Sequence, residues 1–160
     1  MPRRHKQSGV TLMELLLVVA IIGLLAGLTY PAASSGMDAL KLRSAGDEVA
    51  AFLYQSVGRA ERRQEPVEIT FQKAEGVIMA RGLKPGSERE LALPDGIRIL
   101  AVLPEPPGPE QPVRSYFLLP GAAFPQLSVV IGNQKGNRKL VRLDPVTGAP
   151  SVSAVENTAK

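Results

Sequence analysis

Glu14 is the residue whose position most needs a chemical reason. It stands inside the run VTLMELLLVVAIIGLLAGLTY, residues 10–30, where every other side chain is uncharged and most are apolar. A carboxylate inside a membrane helix costs about 2.5 to 3.5 kcal/mol near the bilayer centre and less toward its end. A plain anchor has no use for such a group, so Glu14 is expected to meet a positive partner. Elsewhere the residues of enzymatic chemistry are sparse. His5 is the one histidine and there is no cysteine, which excludes a histidine-dependent triad, a cysteine nucleophile, a thiolate metal site and a disulfide framework. No phosphate-binding G-x-x-x-x-G-K-[ST] loop occurs, and Asp38, Asp47, Asp95 and Asp144 are scattered rather than set at calcium-loop spacing. Glu88 and Glu90 alternate across Arg89 as a solvated charge run would. No cofactor is called for, and paired carboxylates meeting in space are the one route left to a hydrolase site.

Charge places the run that carries Glu14. The formal net charge is +4, but Arg3, Arg4 and Lys6 supply three basic residues before position 10, leaving 19 − 3 = 16 basic against 15 acidic residues beyond it. With aromatics at 4%, neither charge nor stacking residues support nucleic-acid binding. As a helix, the run of about 21 residues would reach about 32 Å, the thickness of a bilayer's hydrocarbon core. Its basic leading flank, against an uncharged stretch from Pro31 to Met37, puts the N-terminus in the cytoplasm and the bulk of the chain across the membrane. An ordinary secretory signal has a shorter apolar region, about 7 to 15 residues. A cut near Ala33 and an uncleaved anchor stand as the alternatives.

Ser8-Gly9-Val10-Thr11-Leu12-Met13-Glu14-Leu15, then Val19-Ala20-Ile21-Ile22-Gly23 and Pro31, resemble the processing and assembly segment of type IV pilins and type II secretion pseudopilins. The resemblance implies that a prepilin peptidase cuts after Gly9 and methylates the Val10 amine, Val10 standing where the family usually has phenylalanine. It also implies that Glu14 recruits the amine of a neighbouring subunit during filament assembly. Gly9 has no side chain to obstruct a narrow protease cleft, and in low dielectric a carboxylate and an amine offset each other's burial, within limits set by desolvation. Gly23 and Gly27 form a G-x-x-x-G spacing suited to close helix packing. Pro31 and Gly36 are expected to kink or loosen the helix beyond the membrane.

The elements that must carry this segment follow. Leu42, Ala45, Val49, Phe52, Leu53, Val57 and Ala60 recur at spacings of three and four, with Arg43, Asp47, Glu48, Arg59 and Arg62 mainly outside the stripe, so an amphipathic helix continues to Glu65-Pro66. Beyond it, β-like runs fall at 67–72, 76–81, 97–103, 114–119, 127–131 and 139–143, separated by turn signals at Lys84-Pro85-Gly86-Ser87 and Leu93-Pro94-Asp95-Gly96. PEPPGPEQP, residues 104–112, has five prolines in nine residues and reads as an extended loop, either a tolerated insertion or a docking surface. Asp144-Pro145-Val146-Thr147-Gly148 reads as a turn between two strands, with Asp144 accepting backbone hydrogen bonds. The expected fold is α+β: a long N-terminal helix packed on an antiparallel β-sheet head. The divisions are a basic leader at 1–9, a membrane and assembly helix at 10–30, its amphipathic continuation at 31–65 and a periplasmic head at 66–160.

Leu42-Arg43-Ser44-Ala45, Ala60-Glu61-Arg62-Arg63 to Pro66-Val67, and Leu143 to Gly148 resemble the minor pseudopilin H group and the related minor pilins of the FimT type. A proline-aspartate-glycine turn frequent in that group is replaced here by Leu118-Leu119-Pro120-Gly121-Ala122. The resemblance implies a non-enzymatic minor pseudopilin of type II secretion in the inner membrane. Its implied partners are major and minor pseudopilins at the filament tip, the prepilin peptidase, and the secretin or secreted substrates. A minor type IV pilin for pilus assembly or DNA uptake, and a membrane-anchored periplasmic enzyme or binding protein, are the alternatives.

Overall fold

The computed structural model describes residues 11–105 and 111–155, the side chains of residues 28–35 excepted. The chain forms two compact units, Met1–Met37 and Asp38–Lys160. One α-helix, α1 (Leu12–Arg63), supplies the described part of the first unit and the beginning of the second, and its helical hydrogen bonding continues past Pro31 and Gly36.

In the second unit the stripe read from the sequence is the buried one. Leu42, Ala45, Val49, Leu53, Val57 and Ala60 are all buried, with Phe52 half-buried at the margin. The helix ends where its backbone leaves the right-handed region: Gln64 has φ 51° and the Glu65 amide donates to the Ala60 carbonyl at 3.3 Å. This is a left-handed cap closed by a six-to-one hydrogen bond. Gln64 takes the place where glycine is favoured, and its own Nε2 donates to the Glu61 carbonyl at 2.7 Å, satisfying one of the carbonyls that a helix end leaves open.

Among the described residues eight strands follow: β1 (Val67–Gln72), β2 (Val77–Arg81), β3 (Arg89–Ala92), β4 (Ile97–Leu103), β5 (Val113–Leu118), β6 (Ser128–Asn133), β7 (Arg138–Leu143) and β8 (Pro150–Ala154). They form two four-stranded antiparallel sheets, ordered β3-β2-β1-β5 and β4-β6-β7-β8. The chain enters the second sheet at β4, passes to β5 beside β1, and goes back to β6. Of the proline-rich stretch 104–112 expected as an extended loop, residues 106–110 lie outside the described residues. The α+β arrangement of a helix on antiparallel strands is therefore present, with the head divided between two sheets.

One cluster of buried residues joins the helix stripe to both sheets, through Ile69, Phe71 and Ile78 on one and Ile99, Val129, Ile131 and Val141 on the other. Alternation along β1 is strict, each buried residue followed by a half-buried one. In β4 the register against β6 shifts between Ile99 and Ala101. The extra residue of this bulge, Leu100, is 41% exposed, which lets Ile97, Ile99 and Val102 all face the core although their spacing is not uniformly two. At Gly46 the helix comes close to the second sheet, for a Cβ there would lie 3.3 Å from Val152 Cγ1.

Two strands differ from the sequence reading. Arg89–Ala92, taken as part of a solvated charge run, is the edge strand β3, paired with β2 while most of its side chains stay exposed. Pro150–Ala154 is the edge strand β8, whose proline sits at the first position, where a missing amide is tolerated.

Candidate functional site

The functional segment begins at a helix start. Thr11 precedes the first helical residue, its carbonyl accepts the first helical hydrogen bond from the Leu15 amide at 3.1 Å, and its Oγ1 accepts from the Glu14 amide at 3.3 Å. Thr11-Leu12-Met13-Glu14 has the sequence form of a capping box, with a hydroxyl residue at the cap and glutamate three positions on. Glu14 thus lies in the first turn of α1, where the helix dipole favours negative charge. The Thr-x-x-Glu spacing is the signal that pointed to this capping role, and the sequence reading attached no role to Thr11.

Around Glu14 the surface is apolar on all sides. Every side chain from 11 to 27 is exposed, Leu12 at 76% and Met13 at 82%. A helix that is hydrophobic all round is stable when lipid or other helices cover it. Gly23 and Gly27 lie in this segment with no heavy atom within 4 Å of a Cβ built on either, so their face is open. Pro31 belongs to α1 by its backbone, while Gly9 and Val10, the residues expected to be cut and methylated, lie outside the described residues. Among the described residues no helix is long and apolar enough to cross a membrane.

In the head, Asp144, Asp38 and Glu65 serve local structure. Asp144 Oδ1 accepts from the Thr147 amide at 2.7 Å and from the Val146 amide at 2.9 Å. These bonds, the Thr147 amide foremost, hold the Asp144 carboxyl below the usual carboxylate range. The turn between β7 and β8 is closed further by the Gly148 amide donating to the Asp144 carbonyl at 2.9 Å. Asp38, at the start of the second unit, pairs with Lys135 Nζ at 2.8 Å in the β6–β7 turn, and that hydrogen bond lowers its pKa as well. Glu65 is buried at the helix end, with Arg59 Nη2 and Arg63 Nη1 each 3.7 Å from its Oε1. Among the described residues no group of three or more histidine, cysteine, aspartate or glutamate side chains is placed to hold a metal ion.

The chain matches the family model described as the prokaryotic N-terminal methylation motif over residues 4–30. This is a type IV pilin-like prepilin signal, and it indicates a structural subunit, anchored to a membrane through its N-terminus, processed by a prepilin peptidase and assembled with other pilin-like subunits. No curated protein and no solved structure matches the chain.

Proposed function

We propose that the chain is a minor pseudopilin of a type II secretion system, inserted through residues 10–30 in the inner membrane with its head in the periplasm. The observation that carries the reading is the methylation motif at residues 4–30, ending in a helix whose apolar surface is open on every side and interrupted by one carboxylate. Such a surface is of use where lipid first covers it and neighbouring subunits later do. The eight-strand head supplies binding surfaces.

In this reading, hydrolysis of the Gly9–Val10 peptide bond removes the basic leader and leaves the Val10 amine four residues before Glu14. Methylation of that amine retains its positive charge. A cation and a carboxylate offset each other's desolvation when both lie in an apolar bundle, so Glu14 of one subunit draws in the amine of the next and sets the axial step between them. Gly23 and Gly27 leave room for a neighbouring helix to approach. The partners in this reading are other major and minor pseudopilins near the filament tip, with the secretin or secreted proteins as contacts of the head.

Coexpression with a prepilin peptidase and measurement of the mature mass test the first step. The expected product lacks residues 1–9 and carries one added methyl group. An intact chain, or a cut near Ala33, defeats the proposal. Co-purification with pseudopilins of a type II system, as against pilins of a type IV pilus or DNA-uptake system, decides between the two assemblies.

A further inference from the structure

The second unit contains an open cleft of about 710 Å³ between the last three turns of α1 and the connection from β2 to β3, and its charge is one-sided. Five cations line it: Arg59, Arg62 and Arg63 from the helix, Lys84 from the connection and Arg89 from β3. The lining acid is Glu88, and it is engaged with Arg81 at 3.0 Å. Over the whole chain beyond the leader, the cleft included, basic and acidic residues nearly balance, 16 against 15. The cleft is therefore a local concentration of positive charge, and like charges are held together there against their repulsion.

The fold builds this concentration deliberately. Arg59, Arg62 and Arg63 stand at i, i+3 and i+4, which puts them on one face of the helix. Arg59 is mostly covered, its side chain 13% exposed, and its Nη1 donates to the Ser87 carbonyl, fastening the connection against the helix. Arg89 Nη1 donates to Gln55 Oε1 at 2.7 Å and fastens the far side. These two anchors fix the walls. Arg62, Lys84 and Arg63 line the cleft as exposed side chains, and among the described residues Arg62 and Lys84 have no ion-pair partner. Arg63 is 54% exposed and lies 3.7 Å from Glu65, which it shares with Arg59.

We propose that this cleft binds an acidic peptide segment of a partner protein, through carboxylates that pair with Arg62, Lys84 and Arg63. Arginine forks suit carboxylates because they donate two parallel hydrogen bonds. The volume exceeds what one small anion fills, and cations on both walls suit a segment with several acids. A nucleic-acid backbone is the less suitable occupant. The aromatic residue lining the cleft, Phe52, is packed against the core, so no ring is presented there on which a base could stack. The inference is independent of the assembly role given to Glu14, because it rests on the head alone.

The test uses the full-length chain in detergent and a labelled octa-glutamate peptide, followed by fluorescence anisotropy at low and moderate salt. The variant R62Q/K84Q removes the two unpaired cations, and R98Q/R138Q removes the same net charge from exposed positions on β4 and β7 of the other sheet. The expected result is saturable binding that weakens about five- to tenfold in R62Q/K84Q and less than about twofold in R98Q/R138Q. K84Q alone, in an exposed turn, is expected to weaken binding about two- to threefold, which keeps the test sound should the helix end respond to loss of Arg62. Equal weakening in both double variants would show an unspecific charge effect and overturn the proposal. So would an absence of saturable binding, or tighter binding of a single-stranded DNA oligonucleotide of the same charge.

Discussion

Replacing Gly148 by alanine tests the packing of the head at a crowded turn. Gly148 has φ 66°, and a Cβ built on it would lie 2.8 Å from Val57 Cγ1 of the helix stripe and 2.8 Å from Phe124 Cε2. Two costs add there. A left-handed backbone conformation costs a residue with a Cβ about 1–2 kcal/mol, and forcing a methyl group into a filled core costs about 1–3 kcal/mol. The sum is about 2–5 kcal/mol, and at about 4 °C per kcal/mol for a unit of this size the melting temperature should fall by about 8–20 °C. Gly121→Ala is the matched comparison, because Gly121 has φ 69° but no heavy atom within 4 Å of its virtual Cβ. It should lose the backbone term alone, about 1–2 kcal/mol or about 4–8 °C. Calorimetric melting of both full-length variants in detergent reads the difference. If Gly148→Ala melts no lower than Gly121→Ala, the close approach of this turn to Val57 is refuted.

Three further outcomes are expected. Leu53→Ala, at a fully buried position of the helix stripe, should cost about 2–5 kcal/mol by chemical denaturation, since it leaves a cavity where helix and sheets meet. The lowered pKa of Asp144 means that its charged form is favoured by folding, so its contribution is present above the ordinary carboxylate range, near about pH 4, and is lost as pH falls through the lower folded value. Asp144→Ala should therefore melt lower at neutral pH and lose less further stability on acidification than the parent, and parallel acid curves would count against the turn's role. Glu14→Gln separates the two roles of Glu14: glutamine also serves at the third position of a capping box, yet carries no charge. Processing should survive, while filament incorporation, measured by crosslinking to other pilin-like subunits, should drop as far as in Glu14→Ala; incorporation at the parental level would leave Glu14 a cap and nothing more.

The legible parts of this fold were those in which burial imposes a period. The helix stripe from Leu42 to Ala60 and the alternation in β1 were readable because one face of each meets the core, and only apolar residues satisfy that face. The Asp144 turn was readable because an aspartate ahead of a glycine is a local device that needs no distant partner. Edge strand β3, and the span of β8 beyond its turn, escaped notice for the converse reason. Their side chains are mostly exposed, so Arg89, Glu90 and the serines of β8 satisfy solvent as a loop's residues would, and backbone pairing leaves no mark on composition. The basic cleft was hidden in another way. Its cations arise from positions 59 to 63 and 84 to 89, brought together by strand pairing, and the one local sign was the i, i+3, i+4 spacing of three arginines just outside the apolar stripe.

The shared core also sets a schedule for folding. Leu42 and Val141 belong to the same buried cluster, although 141 − 42 = 99 positions separate them along the chain. A helix made early thus has to wait for strands made last, and closing so long a span costs entropy before any contact repays it. Until β6 and β7 arrive, the stripe from Leu42 to Ala60 is an apolar band with an incomplete covering. The growing chain accordingly stays open to aggregation and proteolysis until late in its emergence, and truncation before residue 143 should leave that band incompletely covered rather than yield a smaller stable head.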